Sequence, residues 1–204
     1  MKTAYGLLIA ALVTIGLTGC GGDDDGAVGA GSSTTTMATA TSMAEHDTAL
    51  KENPCAPGGI GELPGMTMMT PAAGATPITI TATEYKFTGT DALKAGGAFA
   101  VTFKNDGTEL HELHVAKLAD GEKRPMDEII ADPTAEATTK AAGHSFACPG
   151  TTARPAGVNL TTPGRYIVLC FIPTGAKADT DPKDFGKLGM PHAMQGMAVE
   201  IDIS

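Results

Sequence analysis

From Pro77 onward apolar and polar residues alternate with a period of two. In ITITATEYKF, Ile78, Ile80 and Ala82 share one parity and Thr79, Thr81 and Thr83 the other, the pattern of a half-buried strand. Gly96-Gly97 marks a turn, after which Phe99, Val101 and Phe103 alternate with small or polar residues and predict a second strand. Asn105-Asp106-Gly107 has turn chemistry, and LHELHVAKL reads as a third strand. A short helix is expected over Lys123–Ala131, stopped by Asp132-Pro133; residues 132–157 are polar, punctuated by Gly and Pro, and yield no assignment. Val158–Leu160 reads as a short strand and Thr162-Pro163-Gly164 as a turn. Tyr166–Ile172 is apolar on both parities, as in a strand covered on both faces. Met197, Val199, Ile201 and Ile203 share one face of a closing strand, with Glu200 and Asp202 on the other. Short strands with turn signals and little helix predict an all-β chain folded as a β-sandwich, and residues 76–204 suffice for one core.

Upstream of Gly74 this periodicity disappears. GGDDDGAVGAGSSTTTMATATSMA is of low complexity and holds too little apolar surface to offset the entropy of ordering it. The division that follows is residues 1–19 as a signal peptide, 20–75 as a flexible linker and 76–204 as the folded domain. A linker of about 50 residues reaches roughly 40 Å. Met66, Met68 and Met69 lie near its end and are read as part of it, weak thioether binding of Cu(I) being the alternative. Gly6–Leu17 is an apolar run too short for a permanent membrane span, and it leads into Leu17-Thr18-Gly19-Cys20. That ending resembles the lipobox of bacterial lipoproteins. The resemblance implies cleavage before Cys20, a diacylglycerol on its sulfur and an extracytoplasmic domain held to the membrane by lipid, with an ordinary secretory signal as the alternative.

Composition narrows the partners. The chain of 204 residues carries a formal charge of −9 and no tryptophan. An acidic surface offers no electrostatic footprint for nucleic acid.

Candidate chemistry concentrates between Pro163 and Met197. PGRYIVLCFIP delivers Cys170, and PHAMQGM delivers His192 and, five positions on, Met197. Cysteine, histidine and methionine together suit copper better than zinc, calcium or magnesium. A second histidine has to come from another strand. His111 shares parity with Leu113 and Val115, so alternation turns it toward the core; His114 shares parity with Glu112 and is read as a surface residue. HELH differs in spacing from the HExxH motif of zinc proteases and lies in a strand.

Taken together these residues resemble the cupredoxins, the blue-copper fold of plastocyanin and azurin. Asn105 with His111 six positions later, Pro163-Gly164-Arg165-Tyr166 leading to Cys170, His192 with Met197, Gly196 before that methionine, and Tyr85-Lys86-Phe87 in the opening segment all follow the family's order. The resemblance implies a Greek-key sandwich. It also implies one copper ion with His111, Cys170 and His192 as trigonal ligands and Met197 as a long axial ligand, cycling between Cu(I) and Cu(II). Glu112 and His114 remain competing ligands. The implied partners are envelope redox proteins, docking on an apolar patch around His192 to which Met190, Pro191 and Met194 would belong. In one respect the chain departs from the small members of the family: residues 171–191 separate Cys170 from His192, where those proteins have only a few. A polar excursion of that length costs little extra closure entropy provided its ends meet.

With Cys20 assigned to lipid and Cys170 to copper, Cys55 and Cys148 remain. In an oxidising compartment an even remainder suggests a disulfide; two free thiols, or Cys148 as a metal ligand, are the alternatives. The function expected is electron transfer between envelope redox partners by a non-enzymatic copper protein. Copper sequestration or delivery, and a metal-free interaction domain built on the same fold, are the competing readings. No Cys-His pair adjoins Cys170 to couple it to a second copper, and no second cysteine stands near it for a binuclear centre.

Overall fold

Thr76–Thr83 (β1), Lys86–Thr88 (β2), Gly97–Asn105 (β3), His111–Lys117 (β4), Lys140–Ala147 (β5), Ala156–Leu160 (β6), Gly164–Leu169 (β7) and Ala198–Ile203 (β8) form a sheet of eight strands in the order β2-β1-β3-β6-β5-β4-β7-β8. The computed structural model describes residues 54–55, 68–132, 134 and 139–204. The signal peptide, Cys20 and Met66 lie outside the described residues. Neighbouring strands are antiparallel except β1 and β3, which run parallel with Ile80 opposite Phe103. The sheet folds over its main core: Ile80, Val101, Phe103 and Val158 from one half pack with Leu113, Val115, Val168 and Ile201 from the other. β8 packs against β2 and against the 3-10 turn Thr90–Ala95, so the two edges of the sheet meet. The expected all-β sandwich is the observed architecture. Among the described residues no helix is long and apolar enough to cross a membrane.

The stretch that is apolar on both parities has two cores to serve. Tyr166, Val168 and Cys170 face the main core, while Ile167 and Leu169 join Ala116, Leu118, Ile129 and Ala193 in a second cluster beneath a short helix. That helix, α1, spans Met126–Ala131, shorter than the expected Lys123–Ala131 because Pro125 stands at its N-cap. The Arg124 guanidinium lies outside it and bonds Glu122 and Asp132.

Three further expectations change. β5 falls within residues 132–157, which the pattern left unassigned. KAAGHSFA buries Gly143, His144 and Ser145 and so lacks the apolar–polar contrast that marks a half-buried strand. Gly143 sits where β5 meets β6, and a Cβ there would lie 2.6 Å from a Val158 methyl and 2.9 Å from the Gly157 carbonyl. Glu112, placed on a polar face by parity, is fully buried. Met68 is buried as well, and the Met69 carbonyl accepts a 2.6 Å hydrogen bond from the Gly157 amide, so the chain at these two residues is held against the domain while the Met69 side chain is exposed.

Cys55 and Cys148 are disulfide-bonded with 5.8 Å between their Cα atoms, which ties residues 54–55 to the end of β5. A disulfide of this kind belongs to an oxidising compartment. Cys170 is the free cysteine among the described residues, and it is buried.

Candidate metal centre

Asn105 shapes the approach to the site. Its buried amide donates to the carbonyls of Glu109 (2.8 Å) and Ala147 (2.9 Å), and its carbonyl accepts from Gly107 N (2.8 Å). These bonds curl residues 105–110 so that His111 enters β4 facing inward, fully buried. Asn105→Ala strands the buried Ala147 carbonyl, the partly buried Glu109 carbonyl and a loop amide, and is expected to lower unfolding stability by about 1–3 kcal/mol. Denaturant titration checks this, and an unchanged midpoint would show that the loop is held by other means.

Cys170 lies one residue past β7, and its thiol accepts from Glu112 N at 3.4 Å. His192 opens the 3-10 turn His192–Gln195. The long segment between them closes on itself: Pro173 pairs with Pro191, Thr174 N donates to Met190 O (2.9 Å) and Gly189 N to Thr174 O (3.1 Å). The excursion therefore leaves and returns at one place, and backbone bonds pin its roots. His192 N donates to Ile172 O (2.9 Å), Ala193 N to Cys170 O (2.8 Å), Met197 N to His192 O (3.0 Å) and Cys170 N to Met197 O (3.3 Å). Gly196, with φ of 100°, supplies the left-handed residue that turns the chain into β8. Met197 is fully buried, linked through its backbone to both Cys170 and His192.

One nitrogen from each of His111 and His192 and the Cys170 sulfur lie within 4.8 Å of one another, and all three residues are buried. His192 Nδ1 is 3.1 Å from His111 Nδ1 and 3.4 Å from Cys170 Sγ. Donors bound at about 2.0–2.3 Å to one ion lie roughly 3–4 Å apart, so this spacing fits a single metal ion. The outer nitrogens fix which atoms face inward. His192 Nε2 is 3.0 Å from Glu109 Oε2, and a carboxylate can only accept, so Nε2 carries the proton and the Nδ1 lone pair faces the other two donors. Among the described residues His111 Nε2 is buried without a hydrogen-bond partner, 3.7 Å from Glu84 Oε1.

Burial favours the neutral form of all three groups. Burial, and then the neighbouring His192, lowers the His111 imidazole to about 4; burial lowers His192 against the opposing pull of Glu109. Burial, and then the charge of Glu112, pushes the Cys170 thiol well above its usual value. Without a cation the site is therefore two neutral imidazoles and a thiol. A bound cation would displace the thiol proton and replace the 3.1 Å contact between the two Nδ1 atoms.

The structure gives the two competing ligands other partners. Glu112 accepts from Phe171 N (2.7 Å) and its other oxygen is 3.2 Å from His144 Nε2. His114 is half-buried beside Phe171, with ring centroids 5.6 Å apart. His192 is not exposed in an apolar patch: its ring is fully buried, with Tyr85 at 4.8 Å between centroids and Glu109 on its outer nitrogen. Met190 and Met194, 52% and 47% exposed, carry the nearby apolar surface instead. The pattern reading overlooked Glu84 and Glu109. For Glu109 a signal existed, because it shares parity with His111 two residues on.

No protein-family model and no curated protein matches the sequence. Among solved structures, the chain is similar to a dithionite-reduced auracyanin from the photosynthetic bacterium Roseiflexus castenholzii, at 21% identity over 64% of this chain and 99% of that one, with a TM-score of 0.36. It is also similar to auracyanin B, at 15% identity over 68% of this chain and 93% of that one, TM-score 0.39. A multi-copper oxidase from Pediococcus acidilactici is 13% identical over 72% of this chain but only 29% of its own, TM-score 0.32. Likenesses this distant assign no activity to the chain.

Proposed function

We propose that the chain is a cupredoxin-type mononuclear copper protein that carries electrons, with His111, Cys170 and His192 as equatorial ligands and Met197 as a weak axial one. The observation that carries this reading is the convergence of two imidazole Nδ1 atoms and one thiol in a buried pocket. Thiolate and thioether favour Cu(I), imidazoles accept both oxidation states, and a bound copper would supply a one-electron couple. The residues around the site supply rigidity. Backbone bonds at Cys170, His192 and Met197 hold the donors in place, so little would rearrange between oxidation states.

The same burial weighs against delivery of copper to other proteins. A ligand set with no exposed member offers no surface from which a metal is handed over. Redox partners in the cell envelope would dock on the face carrying Met190, Pro191 and Met194, in contact with the backbone of the ligand loop rather than with an imidazole edge. Lipid on Cys20 would hold the domain at the extracytoplasmic membrane surface, and Cys20→Ala would then move the protein from the membrane to the soluble fraction. No enzymatic step is assigned.

Copper titration tests the reading. An intense visible thiolate-to-Cu(II) band with reversible voltammetry is expected. Binding of Cu(I) alone, without a reversible couple, would favour copper handling instead, and no binding of either ion would overturn both.

A further inference from the structure

We propose that Glu109 is a positioning residue of this site, which fastens the 171–191 segment to His192 and sets the balance between the two oxidation states. The second half of this inference rests on the copper reading above; the first does not.

A single carboxylate oxygen makes both contacts. Glu109 Oε2 lies 3.0 Å from His192 Nε2 and accepts from Gly175 N at 2.8 Å. The next residue continues the seam, Leu110 N donating to Ala176 O at 2.8 Å. Glu109 is itself fixed from behind, because its amide donates to Glu84 Oε1 at 2.9 Å, which also accepts from Thr108 N. Its side chain is 13% exposed, and the Tyr85 ring closes the other side of His192. The segment that lengthens the ligand loop is therefore not a free excursion. It is attached to the outer edge of His192 through one acceptor, and any displacement of Gly175 is felt at the imidazole.

The charge matters separately from the tether. A carboxylate that accepts the Nε2 proton gives the imidazole more anionic character and makes Nδ1 a stronger donor. A stronger nitrogen donor favours Cu(II) over Cu(I), whose soft character draws it to sulfur. Burial enlarges the effect, since the partner charge is poorly screened there.

Two variants separate charge from tether. Glu109→Gln keeps an oxygen able to accept from Nε2–H and from Gly175 but removes the charge. It is expected to weaken Cu(II) binding about 10-fold or more while changing Cu(I) binding much less. A selective tenfold loss raises the reduction potential by about 59 mV. Glu109→Ala is expected to show the same loss and, in the metal-free protein, roughly tenfold faster hydrogen exchange at the Gly175 amide, which loses its acceptor. A merely structural role would lower stability in both variants and leave the ratio of Cu(II) to Cu(I) affinity unchanged, which overturns the charge role. Unchanged Gly175 exchange in Glu109→Ala overturns the tether. A wild-type protein that binds no copper overturns the copper reading, and with it the charge role; the exchange measurement on metal-free protein still decides the tether.

Discussion

Cys170→Ser is expected to abolish the visible band and to weaken copper binding by at least two orders of magnitude. The substitution is nearly isosteric, so the 0% exposed position keeps its packing and the variant should fold. What it loses is the only anionic donor of the three. A serine hydroxyl does not ionise at neutral pH, and its oxygen is a poor partner for a soft ion. Removing one member of a buried charge pair costs about 3–5 kcal/mol, which is about 10²–10³-fold or more in affinity. The wild-type thiol must shed a proton as the metal enters, because burial holds it protonated at neutral pH. Uptake should therefore release close to one proton per copper in wild type and none in Cys170→Ser, as read by calorimetry in buffers of different ionisation enthalpy. Equal affinities for the two proteins would remove Cys170 from the site, and with it the case for copper.

How much of this was legible beforehand depended on which residues had contrast around them. Ile78, Ile80 and Ala82 stand out against threonines, so β1 could be read directly, as could β8 with Ile201 and Ile203 against Glu200 and Asp202. β5 could not, because Ala, Gly, Ser and His bury without looking apolar, and its Gly143 is small so that β6 can approach. His111 was separable from His114 by parity alone, and the structure turns His111 inward. Parity gave the wrong burial for Glu112, since the outer face of β4 is itself covered, with Phe171 and His144 supplying partners for a carboxylate. The closure of residues 171–191 was beyond any pattern. It rests on backbone bonds between Thr174 and Met190 and between Thr174 and Gly189, which no side-chain alternation encodes. The surroundings of His192 were inaccessible for the same reason, as Glu109 meets it across a long separation in sequence.

The metal-free domain is expected to lose about 3 kcal/mol of stability between pH 7 and pH 4 through His111 alone. The imidazole is lowered from 6.5 to about 4 in the folded protein, so between those values the unfolded chain binds more protons than the folded one. Stability then falls as pH falls, with its full value above the unfolded pKa and its loss developing from about 6.5 down to about 4. A shift of that size, at 1.36 kcal/mol per unit and integrated to pH 4, gives the figure stated. His192, lowered by its own burial, adds in the same direction. Glu84 adds too, but only below about its ordinary value of 4.5: burial raises it, and amide bonds from Glu109 and Thr108 outweigh burial and lower it. Denaturant unfolding at pH 7, 5.5 and 4 measures the loss, and His111→Gln should remove most of it by taking away the titrating ring. Copper bound at this site would hold both imidazoles deprotonated and stabilise the folded state by mass action, so the loaded protein should resist acid until protons displace the metal. An equal acid dependence in His111→Gln and wild type would place the sensitivity elsewhere in the fold.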